Sequence, residues 1–402
     1  MTYEPLCGLV VVELSSFVAS PLAGLLLGQL GADVIRVDPI GGAADIGRWP
    51  VATSGTSLYW TGLNKGKRSV TVDLRSPEGR EIVLALATLP GDGRGIVVSN
   101  AVGRGWFAHE ELRARRSDVI DVRLLGHPDG RAAVDYTVNA ASGFPLLTGS
   151  PTEPGPVNHV LPAWDLAAAG QLALAVLAHE RRRRTTGEGD LVTVSLSDVA
   201  TSVASHLGFL AEAEVLGVDR PRYGNYFYGG FGRDFAASDG RVMVAVVSDR
   251  QWRALVASTV GAERMASLAD ALGGADFDDE GVRFRFREAI AGVLEAWFAA
   301  RTVSGVVEVL EGAGVLCSAY RTMKEALAQE VSGPGDLLQP IDQPGVGRVH
   351  VARSVLRSAR DGRSCARPAP ELGADSGAVL TDLLGFTDAA VTQLRDSGII
   401  GG

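Results

Sequence analysis

The chain has 402 residues, 46% of them hydrophobic, enough for two domains with ample core. Its formal net charge of −9 argues against a general attraction to nucleic acid or to an anionic membrane, so an anionic ligand has to be met by local cations. Three distant cysteines, Cys7, Cys317 and Cys365, are odd in number and lack CxxC spacing; they imply neither a disulfide framework nor a zinc site, and fit a reducing cytoplasm.

The opening Met1-Thr2-Tyr3-Glu4-Pro5-Leu6 has no basic region before an apolar run, so secretion is not expected. Residues 9–14 form a β-branched run, 21–30 a small-residue helix and 33–37 a second apolar run, together a compact βαβ unit. The alternation continues with a strand at 69–72, a helix from Pro77 to about Leu89, and strands at 95–99 and 119–125. An open α/β domain of Rossmann type with a parallel sheet follows, and in such sheets ligands collect at the carboxyl ends of the strands. A helix over 166–184, a strand at 191–196 and a helix over 198–215 complete this part. The best candidate for a membrane span, 161–178, is interrupted at Asp165 and Gln171, so insertion is not expected either.

Beyond residue 218 the character changes. Residues 219–233 are dense in glycine and tyrosine and read as a mobile lid, or as a plain linker, leading into a smaller α/β domain with a strand at 241–247, a helix at 249–258 and amphipathic helices to about Gly312. The chain is expected to return to the first domain near 325–338. Pro- and Gly-rich stretches at 339–347 and 367–373 suggest an extended crossing, and a final helix pair runs to Ile400. The domain plan is therefore 1–218, 219–328 and 329–402, with the last segment rejoining the first.

Two phosphate motifs fail on inspection. Gly66-Lys67 would need a glycine at 61 and Ser or Thr at 68 for a Walker A loop, and those positions hold Thr61 and Arg68. The glycines at 91, 93 and 95 precede a strand instead of following one, so they form no dinucleotide fingerprint. Neither ATP nor NAD is supported. Lys65, Lys67 and Arg68 nevertheless surround a glycine, either as a solvated basic loop or as a contact for an anionic ligand.

Asp165 precedes Leu166-Ala167-Ala168-Ala169-Gly170, where it reads as an N-cap. A carboxylate at the positive end of a helix is also a competent nucleophile, so the local pattern leaves both roles open. His159 lies six residues earlier and could be proposed as its partner, but a carboxylate nucleophile needs no deprotonation near neutral pH, and a loop histidine or one orienting substrate fits as well. His179 and His206 sit in apolar helical surroundings and read as packing residues.

Several pieces in order resemble the class III CoA-transferase family, the formyl-CoA transferase and 2-methylacyl-CoA racemase relatives. They are Val10-Val11-Val12-Glu13-Leu14 with Ala19-Ser20-Pro21-Leu22-Ala23-Gly24, Leu30-Gly31-Ala32-Asp33-Val34, Asn64-Lys65-Gly66-Lys67-Arg68, and Asp73-Leu74-Arg75-Ser76-Pro77. Asp165 with Gly187-Glu188-Gly189, Ser238-Asp239-Gly240 and Pro370-Glu371-Leu372-Gly373 extend the likeness along almost the whole chain.

The resemblance implies that Asp165 is the nucleophile and that Lys67, Arg75, Asn100 and Arg104 help to hold the nucleotide end of CoA, a strongly anionic group. Val18 stands beside the thioester where some relatives carry glutamine, leaving backbone N–H groups as the donors there. No histidine occupies 134–135, where racemase members carry a base, so α-proton exchange is not expected. Gly229-Gly230 matches a glycine loop beside the nucleophile. An interlocked homodimer and no cofactor beyond the CoA thioester substrate are further implications.

Subgroup features, among them Arg48-Trp49-Pro50, Val134-Asp135-Tyr136 and Asn158-His159-Val160-Leu161-Pro162, resemble members that move CoA between the two carboxyls of one dicarboxylic acid. The spare carboxylate then needs a cation, with Arg48, Arg222, Arg233 and Arg321 as candidates. An ordinary transferase between separate acids, using the same Asp165, is the alternative. A silent CoA-binding scaffold or a dehydrogenase fits less well, given the retained Asp165 and the missing glycine fingerprint.

Overall fold

The computed structural model describes residues 3–100 and 105–402. The chain divides into two units, the larger made of Met1–Ser142, Val160–Val215 and Gly333–Gly402, the smaller of Gly143–His159 and Leu216–Ser332. Residues 143–159, placed with the large domain by the sequence reading, thus group with the smaller unit.

The larger unit is built in chain order from β1 (Val10–Leu14), α1 (Ala19–Gly28), β2 (Asp33–Pro39), α2 (Leu58–Leu63), β3 (Arg68–Val72), α3 (Pro77–Ala87), β4 (Ile96–Ser99), α4 (His109–Arg115), β5 (Ile120–Leu125) and α5 (Asp135–Ala141). After the short α6 (Phe144–Leu147) of the smaller unit come α7 (Ala163–Thr186), β6 (Asp190–Ser195), α8 (Leu196–His206) and α9 (Phe209–Leu216). The six strands form one sheet in the order β3-β2-β1-β4-β5-β6, every neighbouring pair parallel. Strands buried on both faces need continuous apolar runs, and β1 and β4 are buried at every position. The strand order reverses between β1 and β4, which opens a crevice beyond their carboxyl ends.

Local chemistry sets the helix starts. Ser76 accepts a hydrogen bond from Gly79 N at 2.9 Å and Pro77 opens α3, a capped beginning that the sequence spells out. The helix expected over 198–215 is instead two helices, because Gly208 at φ 79° breaks it between α8 and α9. Helices α1 and α7 pack together through small residues, with Ala19, Ala23, Ala168 and Ala169 buried.

The C-terminal segment covers the open edge of the sheet. Ser69 N donates to Asp375 Oδ2 at 2.8 Å, Thr71 N to Ser376 Oγ at 3.1 Å, and Gly401 N to Thr71 O at 3.1 Å, so β3 has no free edge there. The stretch read as an extended crossing is an antiparallel hairpin of Leu338–Gln343 with Gly347–Ala352. Its Pro340 lies in a ladder of only two strands, where edge positions tolerate a residue without an N–H.

The smaller unit has its own core, formed by an antiparallel three-stranded sheet of Phe231–Ala237, Gly240–Val246 and Leu316–Ala319 with helices including Arg287–Ala299 and Val303–Gly312. Ile290, Leu294, Phe298, Val306 and Leu310 are fully buried in it. Among the described residues, no single helix is long and apolar enough to cross a membrane.

Candidate active site

Asp165 is not the cap of its helix. It lies in the first turn of α7, and the cap comes from elsewhere in the chain: Asp135 Oδ2, at the start of α5, accepts from Trp164 N at 2.8 Å and from Asp165 N at 3.2 Å. Trp164 is buried and donates its indole N–H to Asn139 Oδ1 at 3.2 Å, so α5 holds the start of α7 at both backbone and side chain. The Asp165 carboxylate is thereby released from the capping role that its sequence context suggests. Among the described residues no hydrogen bond or ion pair reaches it. Burial, and then the neighbouring Asp135 carboxylate, push its pKa up to about 7.

A cavity of about 730 Å³ opens in front of this carboxylate, lined also by Phe17, Val18, Arg48, Tyr59 and Asn100. It lies at the switch point of the sheet. Asn100, just past β4, ties the two diverging strands together: its Oδ1 accepts from Ser16 N at 3.1 Å and its Nδ2 donates to Ser16 O at 2.8 Å. Val18 is the N-cap position of α1 and offers no side-chain cap, so among the described residues the positive end of that helix faces the cavity without a side-chain acceptor.

Phe17 has φ 67°, a left-handed conformation that a bulky residue adopts only when its surroundings enforce it. Here Asp45 Oδ2 accepts the Phe17 N–H at 3.0 Å. The Arg48 guanidinium lies 5.5 Å from the Phe17 ring centroid and 5.2 Å from that of Tyr59. Burial holds the Tyr59 phenol up at about 12, against the pull of Arg48, so it stays a protonated donor.

Asp45 belongs to a buried ion network behind the cavity. Arg36 donates to Asp38 at 2.8 and 3.1 Å, to Asp45 at 3.1 Å and to Asn64 Oδ1 at 3.1 Å. Lys67 Nζ donates to both oxygens of Glu13 at 2.9 Å, and to Pro21 O and Asn64 Oδ1 at 2.8 Å each. Gly24 makes room for this pair, since a Cβ there would stand 1.9 Å from Glu13 Oε2.

Lys67 is therefore corrected from a CoA contact to a structural cation: it is buried, all its donors are satisfied inside the unit, and burial lowers its pKa to about 8. Arg75 stands outside the cavity on the turn after β3, its side chain 94% exposed and 3.2 Å from Asp73. Arg104 lies outside the described residues.

Of the remaining expected residues, His159, Gly229, Gly230 and Arg233 belong to the smaller unit. Gly229, at φ 81°, and Gly230 directly precede its first strand. The segment read as a mobile lid is anchored by packing within that unit. Tyr223 and Tyr228 each lie 5.1 Å from Phe284 in edge contact, and Tyr226 donates its hydroxyl to Glu288 at 2.9 Å. Arg233 donates to Tyr226 Oη at 3.0 Å and to Glu295 at 3.3 Å. Arg222 donates to the backbone carbonyls of Pro145, Leu146, Glu153 and Gly155.

The structure thus brings Asp165, Val18, Asn100 and Arg48 to one cavity. Sequence reasoning missed Asp135, Tyr59, Phe17 and Asp45 as its other builders. Asp135 had a signal, an acid at the start of a short helix after a strand, whereas Tyr59 had none.

The profile of CoA-transferase family III matches residues 6–376. The chain is 47% identical to 2-methylfumaryl-CoA isomerase of Chloroflexus aurantiacus, covering 98% of this chain and 97% of that one. It is 27% identical to succinyl-CoA:mesaconate CoA-transferase of Haloarcula hispanica, over 86% of this chain and 88% of the relative. A crystal structure of a CAIB/BAIF family protein from Brucella suis superposes with a TM-score of 0.76 at 25% identity, over 95% of this chain and all of that one. The chain belongs to CoA-transferase family III.

Proposed function

We propose that the enzyme interconverts 2-methylfumaryl-CoA (mesaconyl-C1-CoA) and 3-methylfumaryl-CoA (mesaconyl-C4-CoA), an intramolecular CoA transfer carried covalently by Asp165. The observation that carries this is the Asp165 carboxylate itself, unpaired among the described residues on a helix start capped by another residue, in a chain alike along its full length to a 2-methylfumaryl-CoA isomerase.

An Asp165 oxygen attacks the thioester carbonyl, the C–S bond breaks and CoA thiolate leaves, giving an acyl-aspartyl anhydride. The thiolate then attacks the aspartyl carbonyl of the anhydride, forming aspartyl-CoA and releasing mesaconate. When mesaconate turns and attacks aspartyl-CoA through its C4 carboxylate, thiolate leaves again; its attack on the C4 carbonyl gives the isomer and restores Asp165. Protons neither enter nor leave, and no metal or redox cofactor is called for. The start of α1 at Val18, which has no side-chain cap and lines the cavity, supports a role for its backbone N–H groups in stabilising the negative charge that develops on the carbonyl oxygen.

Retention of the acid gives an effective concentration on the order of 10⁵ M for well-aligned groups, far above millimolar free acids. Asn100, Arg75 and Arg104 are the proposed contacts for CoA, which carries several phosphate charges. A cytoplasmic homodimer is the proposed working form.

A second possibility, transfer between separate acids, is supported by the likeness to a succinyl-CoA:mesaconate CoA-transferase. The purified protein given mesaconyl-C1-CoA and excess isotopically labelled mesaconate separates the two. Unlabelled C4 ester is the expected product; labelled ester means that the acid leaves, and no isomer at all overturns the substrate assignment.

A further inference from the structure

Resting on the isomerase assignment, we infer that Arg48 holds the carboxylate of mesaconate that is not reacting, and that its aromatic cradle makes the site specific for dicarboxylic acids. With one end of the acid at Asp165, the other end lies in a cavity that already contains the Asp165 and Asp135 carboxylates, so it needs a cation. Among the described residues two arginines, Arg48 and Arg131, line that cavity. Arg131 is engaged elsewhere, its Nε 2.7 Å from Asp129 Oδ2 and its side chain 74% exposed. Arg48 pairs with no carboxylate among the described residues. Of the arginines singled out by the sequence, Arg222 and Arg233 are held by the carbonyls, carboxylate and phenol of the smaller unit, and Arg321 stands exposed there.

The cradle supports the cation without neutralising it. Aromatic rings at 5.5 and 5.2 Å attract the guanidinium through their faces and cover apolar surface, while its N–H edge remains free for an in-plane carboxylate. Each part of the cradle is fixed from behind. Asp45 Oδ2 holds the left-handed Phe17 through its N–H, and Arg48 N donates to Asp45 O at 3.1 Å. Ser57, which caps α2 by accepting from Trp60 N, also donates its hydroxyl to Arg48 O at 2.5 Å, so the helix carrying Tyr59 is locked to the residue it flanks. Since mesaconate presents a carboxylate at each end, Arg48 serves C4 while C1 reacts and C1 while C4 reacts.

The test compares Arg48→Gln and Arg48→Lys with the unaltered protein on two thioesters. One is mesaconyl-C1-CoA with labelled free mesaconate present. The other is 2-methylcrotonyl-CoA, in which a methyl group replaces the spare carboxylate, followed by hydroxylamine-dependent release of CoA thiol. Arg48→Gln is expected to lower kcat/KM for isomerisation at least about 10-fold, as loss of a charge-assisted hydrogen-bonded pair does, and to leave thiol release from the monocarboxylic ester within about threefold. Arg48→Lys should recover part of the isomerisation. Isomerisation by Arg48→Gln within about threefold of the unaltered protein would overturn the assignment, and so would an equal loss on both esters, which marks a merely structural arginine. Label in the product of the unaltered protein would instead overturn the intramolecular assignment, leaving the ratio between the two esters to decide on Arg48.

Discussion

Two groups of charge in the larger unit, one around Glu13 of β1 and one where α5 meets the start of α7, differ in one respect, pairing. Around Glu13, three carboxylates and two cations satisfy one another: Lys67 and Arg36 meet Glu13, Asp38 and Asp45 at 2.8–3.1 Å. Around Asp165, two carboxylates approach each other and the nearest bonds run to backbone N–H groups, all of them taken by Asp135. Complete pairing stabilises ions in a low dielectric and makes them unreactive, whereas an unpaired carboxylate stays costly and nucleophilic. Asp45 links the two groups: both its oxygens accept from Arg36, and Oδ2 also accepts the Phe17 N–H at the cavity wall.

The largest effect should come from removing the unpaired member. Asp165→Ala is expected to lower turnover by at least about 1,000-fold with CoA-ester binding largely kept, measured by steady-state kinetics and calorimetry; unaltered turnover would end the covalent mechanism. The paired group should respond in stability instead. Lys67→Met leaves Glu13 buried without its cation and should cost about 3–5 kcal/mol, read as a lowered denaturation midpoint; a change in kcat with no loss of stability would return Lys67 to the site.

Asp135→Asn sharpens the contrast further, because asparagine keeps an oxygen that can cap α7 while removing the charge. In the proposed mechanism ionised Asp165 is the reactive form, and its pKa is held up at about 7, so kcat/KM should rise with pH along a limb near that value. Asp135→Asn should move the limb to lower pH. The same shift has a sign for stability. A carboxyl held at about 7 in the folded chain and near 3.8 when unfolded costs the fold upon ionisation, so stability should fall as pH rises from about 4 to about 7. Asp165→Asn should remove that slope, which pH-dependent melting would reveal. The smallest effect belongs to exposed Arg75: Arg75→Ala should raise KM for the CoA ester about two- to fivefold, most clearly at low salt, with kcat unchanged.

What the sequence made legible follows from how local each signal was. The strands of the large sheet announce themselves as apolar runs, and α3 carries Ser76-Pro77-Glu78 at its start. Glu13 inside Val10-Val11-Val12-Glu13-Leu14 also carries information, since a charge in a fully buried strand requires a partner, yet Lys67 reads as a CoA contact because it stands between the cations Lys65 and Arg68 in a stretch that resembles the family's. The role proposed for Asp165 comes from likeness, while its geometry was not legible. An Asp before an alanine-rich helix looks like a cap, while the residue that caps it is 30 positions away and visible only when the chain is folded. Hairpin Leu338–Gln343 with Gly347–Ala352 was hidden for a related reason: its prolines and glycines signal a connection, and only the facing strand turns them into a ladder. Tyr59 and Phe17 owe their positions to Ser57 and Asp45, contacts with no periodic signature.

The central claim, that the unpaired carboxylate is the one that reacts, is tested most directly by trapping it. The protein is incubated with mesaconyl-C1-CoA and hydroxylamine, digested, and the peptides spanning Asp135 and Asp165 are sequenced by mass spectrometry. A hydroxamate at Asp165 with an unmodified Asp135 is the predicted result. Continued turnover with Asp165 unmodified, or modification at Asp135 instead, would contradict it.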